Sequence, residues 1–223
     1  TEPQLMIEGK GLNAIQVRNR LHIIMASNED WVVPAGVDER RFAVFEVSNG
    51  VAQDGEYFAA LIDEIENGGL EAMLHDLLAR ELGGWHPRQD VPQTDALLEQ
   101  KAMSYRGFEA VFLDLLREGH LPQMSNIGTG DIFVATLELR DYAQRVTGRR
   151  ISFNAVANLF HQLGFERPIG RGGERRGRGF ILPELPEARR AWDRVKSPVR
   201  WNELNNWSHF YDAITKNPGH FEK

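Results

Sequence analysis

The stretch Arg20–Val47, RLHIIMASNEDWVVPAGVDERRFAVFEV, contains two apolar runs separated by a polar loop. The first run, 21–26, ends at Ser27-Asn28, and the second, 42–47, begins directly after Arg40-Arg41. Short apolar runs bounded by turn residues are typical of buried strands. Asn can orient a water or a phosphate oxygen, and Arg can neutralise charge on a phosphoryl group. The pattern therefore predicts two core strands whose ends form a phosphate-handling site.

This arrangement resembles the end of the ATPase core of superfamily-three helicases, an AAA+-like family, and is closest to its phage primase-helicase branch. In that family a strand ending in Ser/Thr-Asn carries the sensor, and an arginine before the next strand reaches the nucleotide of a neighbouring subunit. The resemblance covers residues 5–48 and implies that Asn28 is the sensor. It also implies that Arg41, with Arg40 beside it, is the catalytic finger. Two ordinary core strands joined by a loop with a solvated arginine pair are the alternative.

The family cradles phosphates with a G-x-x-x-x-G-K-[ST] loop upstream of the sensor strand, and no such loop occurs in this sequence. About 20 residues precede the first apolar run, and the chain begins at Thr1 rather than Met. We therefore expect a C-terminal fragment of a phage or prophage DNA primase/helicase that does not hydrolyse ATP alone. The resemblance implies that the parent uses ATP and Mg²⁺ and forms a ring, as a hexamer, whereas no cofactor is expected on this fragment.

Residues 5–17, LMIEGKGLNAIQV, predict a β-hairpin with a Gly-Lys-Gly turn that places Lys10 at its tip. Similar helicases carry a hairpin just before the sensor strand, and its basic tip grips DNA in the central pore. The resemblance thus implies a DNA contact for Lys10. A solvated lysine in a tight turn is the alternative.

The composition limits the classes of function. The 223 residues are 42% apolar and 26% charged, without a run of 18 apolar residues or a signal-peptide pattern, which argues against a membrane or secretory role. Zero cysteines exclude disulfides and cysteine-based zinc sites and fit the cytoplasm, where we expect the protein. The seven histidines form no H-E-x-x-H pair, so no metal site is predicted.

The net charge of −6 is unevenly distributed. Residues 140–200 contain 14 Lys or Arg against 6 Asp or Glu, whereas the rest of the chain contains 12 against 26. A basic block within an acidic chain is typical of a polyanion-binding module. Because the excess is mostly arginine, it suits forked contacts to phosphate.

The periodicity predicts a mostly helical α+β fold in four parts. By the resemblance, residues 1–50 are the remnant of an AAA+-like ATPase core, a hairpin plus two strands. Residues 51–120 are predicted to form a compact helical subdomain. Its four helices are predicted over about 56–66, 70–82, 94–103 and 107–118, with Asn67-Gly68-Gly69 ending the first and Thr94 or Gln93 capping the third. A linker with Gly, Ser and Pro is predicted at 119–131, residues 121–196 predict a winged-helix module, and 197–223 an aromatic-rich tail.

The module is predicted from helices over about 136–147, 153–163 and 186–195, with Ser152 capping the second of them and two wing strands around 165–182. In helix-turn-helix proteins the helix before the wing enters the major groove. Three groups are therefore candidates for DNA binding: Asn154 and Asn158 on that helix, Arg149 and Arg150 at its start, and Arg167, Arg171, Arg175, Arg176 and Arg178 on the wing. A solvated arginine-rich loop and an RNA- or protein-binding surface are the alternatives.

Two functions follow from these patterns. The first is the C-terminal part of a phage-type primase/helicase, which contributes the sensor and finger of an ATPase site together with a DNA-binding winged helix. The second is a non-enzymatic winged-helix DNA-binding regulator or adaptor. A self-contained hydrolytic or metal enzyme is poorly supported, because no nucleophile, base and ligand spacing points to one.

Overall fold

The chain is α+β in the computed structural model, which describes residues 3–11, 13–86, 89–122, 125–126, 132–168 and 178–209. It divides into two compact units, Thr1–Val32 and Val33–Lys223.

The first unit contains the predicted hairpin. Strand β1 (Gln4–Ile7) pairs antiparallel with β2 (Ile15–Arg18), with Leu5 opposite Val17. Gly11 has a φ of +82°, a conformation that residues with a Cβ rarely adopt, and this explains the glycine after Lys10. The side chain of Lys10 is exposed at the tip. The hairpin prediction is confirmed.

The prediction that residues 21–26 and 42–47 form strands is wrong. In the described part of the chain neither run belongs to a strand, so the predicted remnant of hairpin plus two strands reduces to the hairpin. Ile24 is fully exposed, and Phe45 and Val47 are 66% and 86% exposed. The physical reason is that a strand needs a ladder partner for its N–H and C=O groups, and local sequence cannot supply one.

Side chains around helix α3 (Asp95–Ser104) take the place of a ladder for residues 33–44. Three hydrogen bonds hold this segment: Val33 N donates to Gln100 Oε1 at 3.2 Å, Ala35 N donates to Ser104 Oγ at 3.1 Å, and Thr94 Oγ1 donates to Val44 O. Val33 and Ala35 also bury their side chains with Leu97 in a small cluster. The loop 36–41 is thereby attached to one helix at both of its ends.

Helices α1 (Gly55–Glu64) and α2 (Leu70–Ala79) are joined by a kink at Ile65–Gly69. Asn67 and Gly68 leave the helical conformation there, and Gly68 has a φ of +98°. The break predicted from Asn67-Gly68-Gly69 is confirmed. Neither helix buries a side chain, however, so the four helices of 51–120 do not share the compact core that their spacing predicts.

The main core lies between α4 (Phe108–Glu118), α5 (Thr136–Thr147), α6 (Phe153–Gln162) and α7 (Leu185–Val195). A three-stranded antiparallel sheet covers it, in the order β4 (Ser125–Asn126), β5 (Ile132–Ala135) and β6 (Gly179–Leu182). A short parallel pair joins β3 (His120–Leu121) to β7 (Ser208–His209). The core therefore combines side chains from both sides of the linker predicted at 119–131.

Aromatic rings fill the centre of this core. Phe112 and Phe160 are fully buried with ring centroids 4.8 Å apart, and Phe180 lies 5.1 Å from Phe160. These pairs meet edge to face, the arrangement that the ring quadrupole favours. The rings fix α6 against α4 and β6 and so determine which face of α6 reaches solvent.

The helix predictions in this unit agree with the structure. Ser152 caps α6 by accepting from Ala155 N at 3.1 Å, and Thr94 caps α3 by accepting from Leu97 N at 3.1 Å. Strand β5 has no counterpart in the sequence prediction. It pairs with β6 in the register Val134 to Phe180, and it is the central strand of the sheet.

A buried arginine links α4, α7 and the segment after α7. Arg189 is 4% exposed, and its guanidinium lies 5.2 Å from the ring centre of Trp201. It donates to Leu116 O at 2.8 and 2.9 Å, Arg117 O at 3.2 Å, Asn202 O at 3.1 Å, Asn202 Oδ1 at 2.8 Å and Leu204 O at 2.7 Å. Burial lowers the pKa of Arg189. Its donors satisfy carbonyls at the C-terminal end of α4, where the helix has no partners of its own.

We expect Arg189→Ala to lower the free energy of unfolding by about 3 kcal/mol or more, because it removes six hydrogen bonds, two of them to the buried carbonyl of Leu116. Urea denaturation followed by circular dichroism measures this loss. Arg190→Ala is the matched control, since Arg190 is 64% exposed and pairs only with Glu187 among the described residues. Its effect should stay within about 0.5 kcal/mol. Equal effects of the two substitutions would contradict the assignment.

Candidate nucleic-acid interface

Helix α6 presents a polar face to solvent. Val156, Leu159 and Phe160 are buried, and helical spacing therefore directs the intervening polar residues outward. The exposed polar side chains are Asn154, Asn158, His161 and Gln162.

The two asparagines on this face are available for external hydrogen bonds. The side-chain amides of Asn154 and Asn158 bond to no other residue that the structure describes. Gln162 differs, because its Oε1 accepts from Lys196 Nζ at 3.0 Å. An Asn amide can bond both edge atoms of adenine in the major groove. The predicted placement of Asn154 and Asn158 on an exposed helix face is thus met.

Two arginines lie at the start of α6. Arg149 and Arg150 are exposed, and neither forms an ion pair with a described acidic residue. The turn that carries them is fixed on its inner side, where Ile151 is buried and its N–H donates to Gln144 Oε1 at 3.1 Å. Among the described residues the two guanidinium groups therefore have no acidic partner, while their backbone is held.

The base of the predicted wing is a short antiparallel contact between Glu166 and Ile181, with Ile181 N donating to Glu166 O at 2.8 Å. Arg167 lies 5.1 Å from the ring centre of Phe180 and is exposed, as is Arg178. The loop 169–177 lies outside the described residues. The assignments of Arg171, Arg175 and Arg176 fall there and stay predictions.

Other basic groups on this module have internal partners. Lys196 Nζ lies 2.7 Å from Glu109 Oε1, and Arg140 Nε donates to Asp141 Oδ1 at 2.9 Å. The Arg140 guanidinium also covers the ring of Phe153 at 4.2 Å. In the described part of the module, the exposed arginines without an ion pair are Arg145 in the last turn of α5, Arg149 and Arg150 at the start of α6, and Arg167 and Arg178 at the base of the wing.

The residues predicted for the phosphate site are all exposed, but they belong to different units. Asn28 lies in the first unit, after Ser27, whose Oγ accepts from Glu29 N at 3.0 Å. Arg40 and Arg41 lie in the second unit, where 36–41 lines a pocket of about 620 Å³. The structure thus places an Asn and an Arg pair at the surface without defining a shared site.

Sequence reasoning missed Glu39. Its Oε1 accepts from Arg40 N at 2.9 Å and from Arg41 N at 2.6 Å, so this carboxylate occupies the backbone donors beside the two guanidinium groups. The available signal was an acidic residue directly before the arginine pair.

The described residues contain neither a candidate metal cluster nor a membrane-spanning helix. No group of three or more His, Asp or Glu side chains there could hold a metal ion. Within the same residues, no helix is both long and apolar enough to cross a membrane.

Comparison with known proteins gave no match. A scan against models of protein families, a search of curated proteins and a search of solved structures each returned nothing similar to this chain.

If the start of α6 contacts phosphates, Arg149→Ala and Arg150→Ala should each weaken duplex DNA binding. Each should also lower the slope of log affinity against log salt by about 1, since each contact releases about one counterion. Fluorescence anisotropy over a salt series measures this slope. Arg80→Ala is the control, because it removes the same charge from an exposed ion pair with Asp76. Unchanged slopes in the Arg149 and Arg150 variants would contradict the interface.

Proposed function

We propose that the chain is the C-terminal part of a phage-type DNA primase/helicase. In this proposal Asn28 is the sensor and Arg41, with Arg40, is the finger of an ATPase site shared between subunits. Residues 121–196, which pack on α4, form a DNA-binding winged helix. The parent uses ATP and Mg²⁺, assembles as a ring and works in the cytoplasm on DNA replication.

The observation that carries the proposal is that the apolar segments next to Asn28 and Arg41 belong to no strand of the described structure. Residues 21–26 and 42–47 have the apolar sequence of buried strands but no ladder within the described residues. Apolar segments that lie outside any strand ladder are suited to joining a sheet provided by another part of an ATPase core. The resemblance of 5–48 to the superfamily-three pattern identifies such a core.

The apolar surface of α1 and α2 supports the same conclusion. Eleven large apolar side chains between Tyr57 and Leu82 are each 40–79% exposed. Neither α1 nor α2 buries a side chain, so these apolar residues have no core of their own within the described part of the chain. Such a surface is expected where a further part of the protein packs.

The element order of the second unit supports the winged-helix part of the proposal. Helix α4, strand β5, helices α5 and α6 and the hairpin base at Glu166–Ile181 follow one another along the chain. In that order α6 precedes the wing, which is the position of a recognition helix. The free arginines and the two available asparagines occupy this helix and its flanks.

In the proposed mechanism the chain's own residues act on a nucleotide bound mainly by the rest of the core. The phosphate loop and the ligands of Mg²⁺ belong to that remaining part, and Mg²⁺ supplies neutralisation of phosphate charge when it is bound. Asn28 orients the attacking water. The guanidinium of Arg41 reaches the nucleotide of the adjacent subunit and stabilises the charge of the transition state, an effect of about 10³–10⁵ in rate for known arginine fingers.

In the full-length parent, Arg41→Ala should lower ATP turnover by about 10³-fold or more while nucleotide affinity changes little, because the finger acts mainly in the transition state. Steady-state ATPase assays with a fluorescent nucleotide titration separate the two effects. Arg18→Ala in hairpin strand β2 is the control and should retain turnover. Near-normal turnover of Arg41→Ala would refute the finger assignment.

The regulator alternative is favoured by a different observation. The core that spans Ala102 to Trp207 is closed by fully buried aromatic and aliphatic side chains, as expected for a module that folds by itself. A regulator of this kind would bind one duplex sequence tightly through α6 without ATP.

Selection of duplexes from a random pool by the intact chain discriminates the two functions. A regulator yields one enriched sequence whose affinity falls about 10-fold or more in Asn158→Ala, since a lost base contact costs about 1–3 kcal/mol. The primase/helicase part yields no preferred sequence and retains its salt-dependent binding.

Neutralising Arg171, Arg175 and Arg176 tests the wing without deleting the 179–182 strand, where Phe180 and Leu182 are fully buried.

A further inference from the structure

We propose that the loop 36–41 is a binding site for phosphate-type oxyanions, and that Glu39 closes it by placing its own carboxylate on the donors. The biological ligand, a nucleotide phosphate, rests on the proposed function. The anion site itself rests on the geometry of this loop.

The first observation is the double hydrogen bond to one carboxylate oxygen. Glu39 Oε1 accepts from Arg40 N at 2.9 Å and from Arg41 N at 2.6 Å, so two consecutive amides converge on a single anionic atom. Successive backbone N–H groups that point at one oxygen form a concave anion site, as in many phosphate-binding loops. In this structure a side chain of the loop is the anion.

The second observation is the free charge beside these amides. The side chains of Arg40 and Arg41 are exposed, and they form no ion pair or hydrogen bond with any residue that the structure describes, Glu39 included. Glu39 therefore satisfies the backbone donors but leaves both guanidinium groups unused. A phosphate offers more acceptor oxygens than a carboxylate and can engage amide and guanidinium donors together.

The third observation is that the loop is held at both ends. Ala35 N donates to Ser104 Oγ and Val44 O accepts from Thr94 Oγ1, on the two ends of α3. Within the loop, Glu39 N donates to Gly36 O at 3.0 Å. The donors are thus fixed before a ligand arrives. A phosphate can replace the Glu39 carboxylate on these amides after a rotation of the Glu39 side chain alone. The pocket of about 620 Å³ lined by the same six residues has room for the ligand.

The exchange has a direct consequence for affinity. A phosphate must displace the Glu39 carboxylate and overcome its negative charge, so the intact loop binds weakly. Removing this competitor should strengthen binding by about 10-fold, the equivalent of one charge-assisted hydrogen bond.

The test is a titration of the ¹⁵N-labelled intact chain with inorganic phosphate, followed through the amide signals of Arg40 and Arg41. We expect Glu39→Ala to lower the dissociation constant about 10-fold, and Glu39→Gln to lie between it and the native chain. Asp38→Ala is the matched control, because it removes the same charge from the same loop without removing a bond to either amide. It should change affinity less than about 3-fold.

Two results would overturn the proposal. One is an equal gain in Glu39→Ala and Asp38→Ala, which means that general electrostatics alone governs binding. The other is unchanged phosphate affinity in the double variant Arg40→Ala/Arg41→Ala, which places the anion elsewhere. Amide signals outside 33–47 that stay in position show that each variant is folded. Loss of this site would leave the ATPase test of Arg41 unaffected, and failure of that test would leave the anion site standing.

Discussion

The buried guanidinium of Arg189 is the interaction on which the second unit depends. Its hydrogen-bond acceptors among the described residues are uncharged oxygens, so its charge is balanced by oriented dipoles, among them the carbonyls at the negative end of α4. One side chain thereby joins α4, α7 and the segment 202–204. Because α6 packs on α4 through Phe112 and Phe160, the position of the candidate DNA-binding face depends on the same bonds.

The two parts of the chain satisfy their backbone in contrasting ways. Between α4 and β7, helices, a three-stranded sheet and aromatic packing supply the partners. In the part before residue 86, the segment 33–44 instead forms hydrogen bonds with side chains on or beside α3, those of Thr94, Gln100 and Ser104. Many apolar residues from 21 to 82 are exposed to solvent. This contrast separates the two proposed roles. In the proposed function the first part belongs to a shared enzyme core, and the second is a module that folds alone.

Sequence predicted the elements whose causes are local. The caps at Thr94 and Ser152, the break at Asn67-Gly68 and the hairpin around Lys10 depend on neighbouring residues, so spacing was sufficient to find them. It failed for 21–26 and 42–47, because strand formation depends on a partner distant in sequence. Strand β5 was missed for the same reason, since it is defined by pairing with β6 about 47 positions later. At the candidate sites, exposure of Asn28, Arg41 and Asn158 followed from polarity. The contact of Glu39 with its neighbouring amides depends on a side-chain rotamer, which no pattern of residue types encodes.

The kink at Asn67-Gly68 has a consequence for the life of the protein in the cell. It divides a long helical segment into two ten-residue helices, and isolated helices of that length are marginal in water. Without a buried face, each depends on whatever covers it. Residues 55–79 should therefore exchange amide hydrogens quickly and be cut readily by proteases wherever nothing covers them. In the proposed ring, unassembled copies would then be removed by degradation, and the amount of the finished assembly would be set by its scarcest component.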